Sequence, residues 1–126
     1  MPVKRFSAKL LFQFRVVVNG DSGKRRSCEE RIVLVNAPTA RQALTKAKGR
    51  GQASQYDYLN DSGNQVFFEF IGVTDLLELG VECDEDEVWY DIVERLLPSE
   101  RRNKLIPSET ELSAIKFEST QKKRKR

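Results

Sequence analysis

The sequence contains no histidine, and it has only two cysteines, one tryptophan and one methionine among its 126 residues. Because histidine is absent, every mechanism that needs an imidazole as general base, proton relay or metal ligand is excluded. Two cysteines, Cys28 and Cys83, are too few for a zinc knuckle. A histidine-free enzyme would need carboxylates paired in one cleft, and the sequence shows no convincing pair. We therefore expect a protein that is not an enzyme and that binds no cofactor.

Long apolar runs are missing as well. The run at residues 32–35 is far too short to cross a membrane, and no apolar core of a signal peptide follows the N-terminal Met-Pro-Val-Lys-Arg. We therefore expect a cytoplasmic protein with no membrane partner. In a reducing compartment, the two cysteines are expected to be free thiols.

The chain divides into three segments, and in each of them one sign of charge is scarcer than the other. Residues 1–51 carry twelve Lys or Arg against three Asp or Glu, residues 52–97 carry one against twelve, and residues 98–126 carry nine against four, although the whole chain has a net charge of only +3. The opposite charges either pair across the strands of one sheet or separate onto two poles, of which the basic one meets an anionic partner. We favour cross-strand pairing, because surface ion pairs are common.

Residues 6–18 alternate between apolar and polar side chains, with Phe6, Leu10 and Phe12 on one face. This period of two predicts a long strand with one buried face. The turn cluster of residues 19–23 and the apolar run of residues 28–35 then predict the return arm of a hairpin. In that second strand, the even-numbered and odd-numbered apolar residues point in opposite directions.

The spacing of the apolar residues changes at Pro38. Proline suits the first turn of a helix, and Asn36 or Thr39 is expected to cap that helix. Alanines at 40, 43 and 47 and Leu44 form one narrow apolar stripe, and Gly49 and Gly51 are expected to end the helix. Residues 54–59 and 65–71 flank a turn and predict a second hairpin, and residues 73–79 are expected to continue extended. Residues 88–97 fit a helix or a strand, and their aromatic and β-branched content favours a strand.

The predicted fold is therefore α+β. An antiparallel sheet of about five strands, in the order ββαβββ, packs one main helix on one face. We expect a single domain at residues 1–97 and a C-terminal extension at 98–126. The basic end of the extension, residues 122–126, has no apolar content and is expected to be disordered.

In this order of elements, the chain resembles a bacterial family known only as a domain of unknown function (number 4288). The resemblance covers roughly residues 6–97. It rests on residues 6–12, 29–34, 58–63, 70–76 and 87–90 and on the alanine-rich helix around Ala43 and Ala47. The family name carries no activity, so the resemblance implies a fold and no functional residue.

The acidic loop of residues 82–87 offers oxygen ligands for calcium or magnesium. Counted from Asp84, however, the sixth position of an EF-hand loop is Trp89, where glycine is required. We therefore favour a solvated turn, or a partner for the basic helix, and a looser cation site is the alternative. The segment 20–24 lacks the spacing of a phosphate-binding loop and predicts a hairpin turn.

Glu30 shares a strand face with Ile32 and Leu34, which raises the alternative of a carboxylic acid on a core face. More often such a residue pairs with an arginine or lies at the margin of a sheet. We therefore do not expect Glu30 to be catalytic.

We expect a small protein-interaction module, an adaptor or an inhibitor of a partner protein. The face of the sheet opposite the helix is predicted to be too apolar for open water, and either a second copy in a homodimer or the C-terminal segment would cover it. This candidate apolar interface consists of Leu11, Val17, Val33, Val35, Phe67 and Ile71.

The alternative is a nucleic-acid-associated accessory protein, which would bind phosphates through the helix face and the basic tail. The candidate anion-binding or partner-binding residues are Arg41, Lys46, Lys48, Arg50, Lys122, Lys123, Arg124, Lys125 and Arg126. No signature of a known nucleic-acid-binding module accompanies them.

Overall fold

The computed structural model describes the backbone of residues 2–124 and the side chains up to Gln121. The chain divides into two compact units, Met1–Tyr90 and Asp91–Arg126. Within the described residues, no helix has the length and apolar content needed to span a membrane.

The first unit is one antiparallel sheet with one helix, as the α+β prediction requires. Its strands are β1 (Lys4–Val17), β2 (Ser27–Ala37), β3 (Tyr56–Leu59) and β4 (Gln65–Leu79), and helix α1 (Ala40–Ala53) lies between β2 and β3 in the chain. The strand order across the sheet is β2-β1-β4-β3, so β1 and β4 are central and β2 and β3 are edges. The described sheet has four strands rather than the five expected.

The missing strand is the one predicted at residues 88–97. This segment has no regular secondary structure, and the consecutive side chains of Ile92 and Val93 are 89% and 64% exposed. A strand packed on a core would bury alternate side chains. The aromatic and β-branched residues of this segment do not form a buried strand face. The prediction of a fifth strand was therefore wrong.

The alternation of β1 builds the core. Phe6, Ala8, Leu10 and Phe12 are essentially inaccessible, and they pack with Ala43 and Ala47 of α1. We call this side of the sheet the inner face and the opposite side the outer face. Ala43 and Ala47 are the buried members of the apolar stripe that the sequence predicted for this helix.

The register of β1 and β2 corrects one part of the predicted apolar interface. Val35 pairs with Phe6 and Val33 with Ala8. Directly paired residues lie on the same face of an antiparallel sheet, so Val33 and Val35 are on the inner face and belong to the core. The prediction that they lie opposite the helix was wrong.

The β1–β2 turn follows from the Asn-Gly dipeptide. Asn19 and Gly20 have φ angles of 52° and 80°, and Val18 and Asp21 exchange two backbone hydrogen bonds of 2.9 and 3.0 Å. Two central residues with positive φ define a type I′ turn, whose twist matches that of the strands. The predicted hairpin turn is confirmed.

Helix α1 begins at the predicted place and ends later than expected. The hydroxyl of Thr39 accepts a hydrogen bond from the backbone N–H of Gln42, which makes Thr39 the N-cap. The helix continues through Gly49 and Gly51 to Ala53, so the prediction that these glycines end it was wrong. Gly51 is needed for packing instead, because a Cβ at this position would overlap the ring of Phe70.

The second unit contains two short helices, α2 (Arg102–Leu105) and α3 (Ser113–Arg124), and a 3-10 turn at Glu109–Glu111. Its apolar side chains are largely exposed, among them Ile106 and Phe117 at 65% and 64%. The backbone of residues 122–124 belongs to α3, contrary to the disorder expected for residues 122–126, and residues 125–126 lie outside the described part of the chain.

The two glycines of α1 allow a matched test of this packing. We expect Gly51→Ala to lower the free energy of unfolding by about 1–3 kcal/mol, because the new methyl group forces the Phe70 ring out of place. Gly49→Ala adds a methyl group with nothing within 4 Å and should raise stability by up to about 1 kcal/mol through helix propensity. Urea unfolding of both variants measures the difference, and equal midpoints would refute the close contact.

Candidate functional site

The outer face of the sheet is partly covered by the chain that follows β4. The buried hydroxyl of Ser7 donates a hydrogen bond to the carbonyl of Val88. Two residues further along β1, the ammonium of Lys9 lies 4.3 Å from the ring centroid of Trp89. The segment that contains Val88 and Trp89 therefore crosses the outer face above β1.

The acidic loop is held through its backbone. The guanidinium of Arg5 donates to the carbonyl oxygens of Glu85 and Asp84, at 2.6 and 2.8 Å. Because the carbonyls take these bonds, the loop's carboxylates are left at the surface. Among the described residues, no group of three or more Cys, Asp or Glu side chains is placed to hold a metal ion.

The thiols of Cys28 and Cys83 are both free, as predicted. Burial is the largest cause that raises the pKa of the Cys83 thiol above its ordinary value of 9.0, and the carboxylates of Glu87 and Glu82 raise it further. The thiol therefore stays protonated, and so poorly nucleophilic, near neutral pH.

The edge strand β2 carries the exposed part of the outer face. Ile32 and Leu34 pair with Lys9 and Ser7, which places them on the outer face, and their side chains are 44% and 43% exposed. These are the residues that the predicted apolar interface should have included in place of Val33 and Val35. The signal was present in the alternation of β2, but alternation alone does not say which set faces the helix.

The remaining predicted interface residues are spread along the two central strands. Leu11, Val17 and Phe67 are partly buried, and Phe67 lies beneath the guanidinium of Arg15, 4.5 Å from its ring centroid. Ile71 is 52% exposed at a point where the β1–β4 register shifts by one residue.

A polar network fixes the outer face near the β1–β2 turn. Arg15 donates two hydrogen bonds to the carboxylate of Glu69, at 2.8 and 3.0 Å, and Gln13 adds a third at 3.0 Å. The hydrogen bonds from Arg15 are the main reason why the pKa of Glu69 lies below its ordinary value of 4.5. This pair joins the basic first third of the chain to the acidic middle, as cross-strand pairing predicted.

The other carboxylates of interest also have partners. Glu30 shares its strand face with Ile32 and Leu34, as its alternation predicted, but this face is the outer one and not the core face considered for it. Its carboxylate accepts a hydrogen bond of 2.9 Å from the hydroxyl of Thr74. Glu29 pairs with Arg31 at 2.5 Å on the inner face. The guanidinium of Arg31 in turn lies 4.9 Å from the ring centroids of both Phe12 and Phe68, where it covers the aromatic end of the core.

The basic residues predicted on α1 are all exposed, but they do not form one surface. Arg41 and Lys48 are seven positions apart and share one side of the helix, whereas Lys46 and Arg50 are four apart and share another. Lys46 also donates a hydrogen bond of 2.7 Å to the backbone carbonyl of Asn36. The predicted basic residues at 122–126 lie outside the described side chains.

The described surface has hollows near the sheet. One of about 220 Å³ lies where β3 meets β4 and is lined by Tyr56, Asp57, Phe67, Phe68 and Glu69 together with Gln55. Two carboxylates line it, and both already accept hydrogen bonds, Glu69 from Arg15 and Asp57 from Gln65.

The profile of the family described as a domain of unknown function (DUF4288) matches residues 5–89. The chain belongs to this family. The match covers the sheet, the helix and the segment that crosses the outer face, and it ends close to the boundary of the first unit. Comparisons with curated proteins and with solved structures gave no match. In this DUF4288 protein, the resemblance seen in the sequence is thereby confirmed, and it assigns no activity.

The Glu69 pair predicts a specific dependence of stability on pH. A carboxylate with a lowered pKa in the folded state adds stability above its unfolded pKa, and this is lost as the pH falls through 4.5 toward the folded pKa. We expect Glu69→Gln to lower the urea midpoint at neutral pH and to have little effect once the wild-type carboxylate is protonated.

The matched control is Glu78→Gln, whose carboxylate meets Lys4 at 3.7 Å with both side chains half exposed. Such a pair contributes little, so this variant should follow the wild type at every pH. A constant difference between Glu69→Gln and the wild type across the acid range would contradict the role of the charge.

Proposed function

We propose that this DUF4288 protein is a non-catalytic protein-interaction module, an adaptor or an inhibitor of a partner protein. The observation that carries the proposal is the open edge of β2. This strand is 11 residues long, has β1 on one side only, and exposes Ile32 and Leu34 beside its free backbone groups.

Sheet proteins usually protect an edge of this kind, because unpaired backbone groups recruit other strands. The β3 edge is only four residues long, and β4 carries two register shifts, at Thr74 and Ile71. By contrast, β2 pairs with β1 in an unbroken register and contains neither lysine nor proline. Its outer edge is therefore suited to the addition of a strand from another protein.

The hydrogen bonds and ion pairs of three carboxylates support a non-catalytic role. Glu69, Glu29 and Glu30 each hold a structural partner, respectively Arg15, Arg31 and Thr74. A general acid or base needs a carboxyl group directed at a substrate site. The free thiols of Cys28 and Cys83 support a location in the cytoplasm, where cysteines stay reduced.

Nucleic-acid binding is the second candidate, favoured by the exposure of Arg41, Lys46, Lys48 and Arg50. A phosphate backbone is bound best by cations that line one surface. The division of these four residues between two sides of α1 makes this candidate the weaker one.

A photo-crosslinking amino acid tests both candidates in cells that express the protein. We expect the probe at position 34 to form protein adducts, because Leu34 stands beside the open edge. The matched control is position 71, where Ile71 is similarly exposed but lies at a register shift. A third probe at position 48 reports on α1.

Protein adducts at position 34 in excess of those at position 71 would support the interaction module. Nucleic-acid adducts at position 48 without protein adducts at position 34 would replace it with the second candidate. No excess at position 34 would overturn the use of the β2 edge.

A further inference from the structure

We infer that the partner at the β2 edge is a second copy of this chain, an inference that rests on the proposed function and names its partner. The two β2 strands would pair antiparallel around a twofold axis at Val33. The two four-stranded sheets would then continue into one another. The proposal follows from the self-complementarity of the residues along β2.

A twofold interface requires that each residue meet its counterpart reciprocally. With the axis at Val33, Ile32 of one copy lies opposite Leu34 of the other, and the same pair repeats across the axis. The exposed apolar side chains, 44% and 43% accessible in one copy, thus form one contiguous row of four on the outer face. Cross-strand pairs of large apolar side chains are the ones that stabilise a sheet.

Neighbouring registers are less favourable. An axis at Arg31 places the two Arg31 side chains opposite each other, and an axis at Glu30 does the same for two carboxylates, so both bring like charges together. An axis at Ile32 sets Glu30 opposite Leu34, and an axis at Leu34 sets Ile32 opposite Asn36. The axis at Val33 alone among these five pairs all the exposed apolar side chains with one another and creates no like-charge contact.

The backbone of β2 supports the same arrangement. The carbonyl of Asn36 accepts a hydrogen bond from Lys46 of α1, so it points away from β1. Backbone groups alternate along a strand, and Ile32 and Leu34 therefore also direct their N–H and C=O groups to the open edge. Ile32 and Leu34 would form the hydrogen-bonded pairs, and Val33 would face its counterpart in the closer, non-hydrogen-bonded position.

Charge complementarity adds to this register. The Val33 axis places Glu30 of one copy opposite Asn36 of the other, next to the ammonium of Lys46. Opposite charges at such a position favour pairing. The contact repeats on the other side of the axis. Each end of the apolar row therefore carries the Glu30 carboxylate on the outer face, while the ammonium of Lys46 reaches the same edge from α1 on the inner face.

The first experiment measures the mass of the full chain by sedimentation equilibrium over a range of concentrations. The wild type is expected to be a dimer, and Leu34→Lys should weaken association by at least about tenfold, since it removes two cross-strand apolar pairs and adds an edge lysine. Ile71→Lys changes a similarly exposed residue away from the edge and should associate like the wild type.

The second experiment tests the register with interchain disulfides, in a background where Cys28 and Cys83 are replaced by serine. Val33→Cys should form a disulfide-linked dimer on oxidation, because paired Cα atoms at a non-hydrogen-bonded position are about 4.5 Å apart and within disulfide range. Glu30→Cys is the control, since the axis separates its two copies by six positions, roughly 20 Å along the strand.

A wild-type chain that is monomeric at every concentration would overturn the inference, as would disulfide formation by Glu30→Cys but not by Val33→Cys. If the chain is monomeric and the photo-crosslinker at position 34 still captures a different protein, the second copy is excluded while the proposed function stands. If the chain is monomeric and the probe at position 34 captures no protein, the inference and the proposed function both fail. Dimers that depend on Leu34 and crosslink through position 33 would support both.

Discussion

One helix must close a sheet whose central strands are longer than the helix itself. Helix α1 has 14 residues and is about 21 Å long, whereas β1, also of 14 residues, extends over roughly 46 Å. The helix is therefore less than half as long as the strand on which it packs. The rest of the core is closed by aromatic stacking, in which Phe12 and Phe68 lie 4.6 Å apart and Tyr56 packs against Phe68 at 4.9 Å. Arg31 covers this end as a cation over both phenylalanine rings.

The way the outer face is covered also follows from the position of α1. With α1 committed to the inner side, the chain after β4 covers part of the outer side without forming a strand. Ser7 is fully buried there because its hydroxyl meets the carbonyl of Val88, and Lys9 lies against Trp89. This cover passes above β1, and Ile32 and Leu34 on β2 remain accessible. The apolar side chains of Ile32 and Leu34 thus lie beside, and not beneath, the segment that follows β4.

The sequence was sufficient to predict each element whose signal is local. The alternation of β1, the Asn19–Gly20 turn and the Thr39 cap depend on residues next to one another, and the structure has each of them where the pattern indicated. The face of β2 was assigned wrongly because both of its sides are apolar, and only the pairing of Val35 with Phe6 decides between them. The predicted strand at 88–97 failed for a similar reason, since β propensity describes a half-buried surface that this segment does not have.

The candidate site was predictable only in part. The exposure of the α1 cations followed from the helical period, and their division between two sides follows from the same spacing, which the sequence-based grouping ignored. No local pattern indicates that Gly51 is required by Phe70, because the contact joins residues far apart in the chain. The openness of the β2 edge is also a property of the strand order and not of β2 alone.

The segmented charge also has a structural consequence for association. The basic first segment supplies β1 and the acidic middle segment supplies β4, so their opposite charges meet between the central strands, as in Arg15–Glu69 and Lys4–Glu78. The edge strand is left with only Glu29, Glu30 and Arg31, of which Glu29 and Arg31 neutralise each other. Because like charges on an edge strand oppose the approach of another strand, this near-neutrality lowers the usual electrostatic barrier along the β2 edge. Charge pairing within the sheet and openness at its edge therefore arise from the same arrangement of the chain.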